Sequence, residues 1–157
     1  MQFKQLPEYE KLEEGFTLIA KRWDELIEAI PIWRGLKDQD SDLEGIRSED
    51  GGHVLARPIG ITSFTKAVGD ALDAGLQTST IAERVERFSV LADTPWAGFL
   101  WNTVSRRMIT GKDREKLASE VWHLLLGLPI DYDTINAEWR AKVDPRDQHP
   151  ELNLPNP

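Results

Sequence analysis

The feature that most constrains the fold is an apolar stripe with helical spacing near the start of the chain. In the segment EYEKLEEGFTLIAKRWDELIEAI, residues 8–30, seven apolar residues recur every three or four positions and share one helix face: Phe16, Ile19, Ala20, Trp23, Leu26, Ile27 and Ile30. We expect Gly15 to mark the start of the regular helix, because glycine weakens a helix interior. We expect Pro31 to end it, because the residue before a proline disfavours the α conformation.

Three further stripes predict three more helices. The positions that we expect to be buried are Phe64, Val68, Ala71 and Leu72 in residues 61–76; Ile81, Val85, Phe88 and Leu91 in residues 78–93; and Leu117, Val121, Leu124 and Leu125 after Gly111. The expected caps are Thr62 or Ser63, Thr78 or Ser79, and Asp113, and the expected stop signals are Gly75 and Gly127 with Pro129. A last short helix is predicted in residues 133–143.

The connecting segments complete the expected architecture. The polar stretch 35–53 predicts a long loop with one helical turn around residues 41–46, where Ser41 and Glu44 have capping-box spacing. GFLWN and RRMIT, separated by TVS, predict a small hairpin. The sequence therefore predicts a mainly α fold, a small helical domain with a short β-hairpin in residues 1–143. The proline-rich tail, residues 144–157, predicts disorder.

Composition excludes several classes of protein. The 157 residues contain no cysteine, so a disulfide framework and a thiolate metal site are both excluded. No run reaches the roughly 18 apolar residues of a membrane span, and the N-terminus has no signal-peptide core, which predicts a cytoplasmic protein that does not contact membranes. The net charge of −8 argues against a surface that binds nucleic acid all over.

Basic charge is concentrated in one place. The segment RRMITGKDREK, residues 106–116, holds five bases and two acids, whereas residues 1–50 hold 13 acids and seven bases. Candidate contacts to a polyanion are therefore Arg106, Arg107, Lys112 and Arg114. The alternative is a solvated hairpin and first helical turn. Trp96 and Trp101 nearby are candidates for stacking on bases, with a core position as the commoner role for tryptophan.

The glycine-rich stretch EDGGHVLARPIGITSFTKAV, residues 49–68, does not fit a phosphate loop, because Gly60 is not followed by the lysine and hydroxyl of that motif. We expect Gly51 and Gly52 to adopt positive φ in a turn, followed by an extended HVLA. On such a strand His53 and Arg57 would share one face. Arg57 is then a candidate for binding a phosphate or, more commonly in an acidic domain, a carboxylate of the first helix.

The residues name no catalytic or metal site. His53, His123 and His149 lie in separate segments without metal-ligand spacing, and no nucleophile–base–acid set stands out among the many serines and acids. We expect His123 to be a packed or partly exposed helical residue. No metal and no cofactor is predicted.

Two stretches resemble a known family. IAKRWDELIEAIPIW with the later IRSEDGGHVLARPIGITSFTKAV, and then TPWAGFLWNTVSRRMITGKDREKLASEVWHLLLGL, resemble the C-terminal region of the DndB / DGQHR-domain family over about residues 8–128. The N-terminal half that carries the DGQHR motif in that family has no counterpart in this chain, and EDGGHVLAR is only superficially similar to the motif.

The resemblance implies a role in bacterial DNA modification and phage defence, where DndB-type proteins act as DNA-binding regulators of transcription. It predicts a non-catalytic accessory or regulatory module that binds protein partners and DNA, with Arg57 and the basic segment as contacts. One alternative is a purely structural interaction domain, a fragment of a split DGQHR protein that docks a missing N-terminal half. Another is a nucleotide-binding enzyme that uses the glycine-rich loop.

Overall fold

The structure is a computed structural model that describes residues 9–39, 42, 46–48, 50–144, 146 and 153–155. Its helices are α1 (Tyr9–Ala29), α2 (Pro31–Lys37), α3 (Pro58–Asp73), α4 (Thr78–Arg87), α5 (Lys112–Leu125) and α6 (Tyr132–Lys142). A 3₁₀ turn (Val54–Ala56) precedes α3, and β1 (Trp101–Asn102) pairs with β2 (Arg107–Met108) in an antiparallel hairpin. The predicted mainly α fold with a short hairpin is confirmed.

Helices α3 and α5 form the centre of the core. Phe64 of α3 and Trp122 of α5 meet edge to face, with ring centroids 5.2 Å apart. Aromatic contacts extend this pair in both directions, to Trp96 at 4.9 Å on one side and to Trp33 of α2 at 5.8 Å on the other. Helix α6 packs on α5, while α1 packs on α2 and α4. The core is thus built from large rings that tie four segments together.

The apolar stripes of the three later helices are confirmed. Apart from Leu72, which is half-buried, every predicted position is buried: Phe64, Val68, Ala71, Ile81, Val85, Phe88, Leu91, Leu117, Val121, Leu124 and Leu125. Helix α4 ends at Arg87, however, and not at the predicted residue 93, so Phe88 and Leu91 are buried beyond its end. Gly75 and Gly127 have φ of 89° and 68° at the ends of α3 and α5, as the stop signals predict. A left-handed residue after a helix lets the last carbonyls find backbone donors.

Helix α1 differs from its prediction in both bounds and burial. It continues through Gly15 and ends at Ala29, and Pro31 occupies the first turn of α2 instead of only terminating α1. A proline at that position costs nothing, because its missing N–H has no helical partner there. Of the expected stripe, Leu26 and Ile30 are buried, whereas Phe16 and Ile19 are exposed.

The predicted helix caps are wrong. Helix α3 begins at Pro58, so Thr62 and Ser63 lie inside it, and their hydroxyls donate to the carbonyls of Pro58 and Gly60. The N-cap positions of α3, α4 and α5 are Arg57, Gln77 and Gly111, none of which caps through its side chain. A serine or threonine hydroxyl inside a helix can donate to a carbonyl one turn earlier. A serine or threonine in the sequence therefore does not by itself mark the start of a helix.

Two expectations concern segments that are wholly or largely undescribed. Ser41 and Glu44, the expected capping box, lie outside the described residues, as does most of the tail. In the described part of the tail Leu154 is buried, and its carbonyl accepts a hydrogen bond from the Tyr132 hydroxyl at 2.8 Å. Within the described part of the chain, no helix has the length and apolar character needed to cross a membrane.

Candidate nucleic-acid interface

A turn at Gly51 and Gly52 begins the segment that carries the candidate site. Their φ angles are 91° and 69°, which confirms the predicted left-handed turn. A Cβ on Gly51 would lie 2.9 Å from the ring of Trp101, and a Cβ on Gly52 would lie 1.9 Å from the carbonyl oxygen of Ile46. Both positions therefore require glycine for two reasons, backbone conformation and close approach.

Only part of HVLA is extended, which corrects the prediction: His53 is extended and bridges to Val90, whereas Val54–Ala56 form the 3₁₀ turn. His53 caps the 3₁₀ turn, because its Nδ1 accepts a hydrogen bond from the N–H of Leu55 at 3.0 Å. His53 and Arg57 consequently do not share a strand face. Gly60 packs against this turn so tightly that an added Cβ would lie 2.0 Å from the carbonyl oxygen of Val54. The glycines of the stretch serve a turn and close packing.

Arg57 is held by backbone carbonyls and an indole ring. Its Nη2 and Nε donate to the carbonyl oxygen of Gly51 at 2.8 and 3.2 Å, and Nη2 also lies 3.5 Å from the carbonyl oxygen of Arg47. The guanidinium lies over the ring of Trp101, 5.7 Å from its centroid. Among the described side chains of the first helix, no carboxylate pairs with Arg57, although one was the expected partner. Burial, aided by the neighbouring charge of Arg47, lowers the pKa of Arg57.

The hairpin places two more arginines beside Arg57. In its turn, the side-chain oxygen of Asn102 accepts hydrogen bonds from the backbone N–H groups of Val104 and Ser105, at 3.1 and 2.7 Å. Arg106 follows with a left-handed φ of 51°, and Arg107 pairs with Asn102 across the ladder. An asparagine that bonds two residues onward fixes a tight turn. The turn chemistry therefore determines where the two arginines stand.

These elements enclose an open groove of about 500 Å³, which we call the arginine groove. It is lined by Arg47, Ser48, Arg57, Trp101, Arg106, Arg107 and Met108. Among these described lining residues none is acidic. Arg47 is anchored, since its Nε donates to the carbonyl oxygen of Ala56 at 2.8 Å. The charge of Arg47 acts on Arg57, and an anion bound between these two guanidinium groups would relieve their repulsion.

Lys112 and Arg114 lie apart from the arginine groove. Arg114 ties helix α5 to its surroundings: Nη1 donates to the carbonyl of Phe99, and Nη2 donates to the carbonyl of Lys142 at 2.9 Å. Its guanidinium also lies over the Phe99 ring, 5.6 Å from the centroid. Burial lowers the pKa of Arg114, and the opposing effect of Asp144 is smaller. Lys112 is exposed and, with Arg114, lines a separate depression of about 300 Å³.

The histidines join neighbouring elements. His123 is half-buried on α5, as predicted, and its Nε2 lies 2.7 Å from a carboxylate oxygen of Asp70 on α3. His53 Nε2 lies 3.6 Å from a carboxylate oxygen of Glu86, and burial lowers the pKa of His53 despite that carboxylate. His149 lies outside the described residues. Within the described ranges, no three potential metal ligands lie together.

Sequence reasoning missed Arg47 and Ser48 as groove residues. Both belong to the polar loop, and the close approach of Gly52 to Ile46 and the hydrogen bond from Arg47 to Ala56 hold them in the groove. No local pattern could have indicated this, because the groove joins segments about fifty residues apart. Trp96 is buried in the core. Trp101 is also largely buried, yet it lines the groove and supports Arg57.

No protein-family model, no curated protein and no solved structure matches this chain. The resemblance to the DndB / DGQHR-domain family rests on the sequence motifs alone.

Proposed function

We propose that this chain is a non-catalytic nucleic-acid-binding module whose arginine groove takes the phosphate backbone of DNA. The observation that carries the proposal is the convergence of Arg47, Arg57, Arg106 and Arg107 on one groove whose described lining includes no acid. Guanidinium groups bind phosphate oxygens through paired N–H donors, which a lysine cannot do in the same geometry. Phosphate contacts of this kind position a protein on DNA without reading its sequence.

Two of the arginines are prepared for this role. Arg47 and Arg57 are fixed by carbonyl groups of the 47–57 segment, so they lose little conformational freedom when an anion binds. Arg106 and Arg107 lie exposed on the hairpin, where they reach an approaching strand first. The chain as a whole is acidic, so DNA is repelled elsewhere and contact is confined to the groove.

The cellular role that we propose is that of an accessory or regulatory component of bacterial DNA modification. This part of the proposal is supported by the resemblance to the DndB / DGQHR-domain family. In that role the chain contacts DNA, and partner proteins carry out the chemistry. The sequence names no catalytic nucleophile with a general base beside it, which agrees with this division.

A salt titration tests the DNA contact. If the four arginines neutralise about four phosphates, the plot of log affinity against log salt has a slope of about −3 to −4. Binding of a fluorescent 30-base-pair duplex is measured by anisotropy between about 50 and 200 mM salt, the range over which such contacts weaken strongly. Changing Arg106 and Arg107 to glutamate should reduce the slope by about 2 and the affinity by tenfold or more.

A matched variant makes the same charge change elsewhere. Lys66 and Arg87 are exposed on α3 and α4 and do not line the groove. Changing this pair to glutamate should lower the affinity much less than the change at Arg106 and Arg107. No binding at about 50 mM salt, or equal losses in the two variants, would show that the arginine groove does not bind DNA.

A further inference from the structure

The N-terminal half of α1 carries an apolar surface that the nucleic-acid proposal does not use. We define it as the α1 ridge: Leu12, Phe16 and Ile19, whose exposed fractions are 50%, 74% and 57%. Soluble proteins keep large apolar side chains on one helix face covered, and a contiguous patch of a few hundred Å² marks an interaction site. With most of Phe16 and half of its neighbours exposed, the ridge presents roughly 300 Å² of apolar area.

The spacing of the ridge indicates what fits it. From Leu12 the apolar positions follow at intervals of four, three, four, three and four residues, ending in Trp23, Leu26 and Ile30. Alternating intervals of four and three are the a and d positions of a heptad repeat, the pattern that receives side chains from a second helix with the same repeat. The C-terminal half of this repeat is covered by the chain's own domain, whereas the N-terminal half is exposed.

A pocket continues the ridge toward the domain. It has a volume of about 130 Å³, lies between α1 and α3, and is lined by Ile19, Arg22, Trp23, Leu26, Thr65, Val68, Gly69 and Leu72. Gly69 leaves it open, because a Cβ added at Gly69 would have no neighbouring atom within 4 Å. An apolar side chain of a helix packed on the ridge would therefore fit into this pocket.

We propose that the α1 ridge binds α1 of a second copy of this chain, in antiparallel orientation, to form a two-fold dimer. In a parallel pair, both domains would lie at the C-terminal end of the paired α1 helices, where each would meet the other. An antiparallel partner places the two domains at opposite ends. Residues 9–20 of α1 extend about 18 Å at the helical rise of about 1.5 Å per residue. The N-terminal end of each α1 can therefore reach the pocket of the other copy.

One register satisfies apolar and charged positions together. With Phe16 opposite Ile19 of the second copy, Leu12 lies opposite Trp23, at the edge of the pocket. The positions that flank the repeat are then Glu13 opposite Ala20 and Gly15 opposite Arg22, so no like charges meet. Small residues at two of these four positions let the helices approach closely. Two ridges contribute roughly 600 Å², and the small pockets leave the total below the roughly 1,200 Å² of a stable interface, so we expect a weak, reversible dimer.

Sedimentation velocity of the full chain between about 1 and 100 μM tests the dimer. The expected result is a species of twice the 17.9 kDa chain mass that dissociates on dilution. Phe16→Glu should shift dissociation to at least tenfold higher concentration, because it places a charge in the apolar seam. Gly69→Leu should do the same by filling the pocket, and the open surroundings of Gly69 mean that this variant folds.

Leu18 provides the matched control. It is 50% exposed on the same helix but lies off the repeat, so Leu18→Glu should leave the dimer unchanged. Helical circular dichroism of each variant at low concentration verifies that the monomer is folded. A wild-type chain that stays monomeric at 100 μM, as it would if the ridge served a different protein, overturns the proposal. So does a Phe16→Glu variant that still dimerises, or equal losses in the Phe16 and Leu18 variants.

Discussion

Replacing Gly52 by alanine should both destabilise the fold and weaken the arginine groove. Its φ of 69° costs an L-residue about 1–2 kcal/mol. The added Cβ would also lie 1.9 Å from the carbonyl oxygen of Ile46, so the 46–48 segment must move, at an overpacking cost of about 1–3 kcal/mol. The free energy of unfolding should therefore fall by about 2–5 kcal/mol. Because Arg47 and Ser48 move with Ile46, DNA affinity of the folded variant should fall as well.

Gly75→Ala is the matched control for this prediction. Gly75 has a similar positive φ of 89°, but a Cβ there has no neighbour within 4 Å, so only the conformational cost of about 1–2 kcal/mol applies. Urea unfolding followed by tryptophan fluorescence gives both free energies, and anisotropy at a temperature where both variants are folded gives the affinities. If the two substitutions cost the same, or if Gly52→Ala binds DNA like the wild type, the reasoning about the 46–52 contact is refuted.

Two more predictions follow from the described contacts. Arg114→Leu should lower the free energy of unfolding by about 2–3 kcal/mol, because two carbonyls lose a charged donor, and should leave DNA affinity within about twofold. Arg107→Leu, at an exposed position, should leave the free energy of unfolding nearly unchanged and lower DNA affinity. A larger affinity loss in the Arg114 variant would contradict the separation of the two sites. The pKa of His53 is lowered in the folded state, so the unfolded chain takes up the proton first and stability is lost as pH falls below about 6.5. His53→Asn retains an acceptor for Leu55 and should flatten urea-midpoint curves between about pH 7 and 5, whereas an unchanged slope would assign the effect to other groups.

The periodic signals in the sequence were sufficient for the helices but not for their ends. Apolar spacing predicted α3, α4 and α5, and nearly all of the positions that it marked are buried, because burial on one face imposes the helical period directly. It missed other buried residues of these helices, among them Trp122. Caps were predicted wrongly, since Thr62, with a side chain that suits a cap, bonds back within the helix instead. In α1 the apolar spacing correctly predicted a helix. It could not show which helical turns pack on the domain and which stay exposed, such as the turn that carries Phe16.

By itself the sequence determined the helical class, the hairpin, the glycine-ended helices and the local excess of basic residues, since each depends on neighbours within a few positions. Only the tertiary structure decided which basic residues act together. It separated Arg114, which supports α5, from Arg106 and Arg107, and it brought Arg47 to them from a distant loop. The physical reason is that a charge cluster depends on distances in space, and those were set by the Gly51–Gly52 turn and the Asn102 turn.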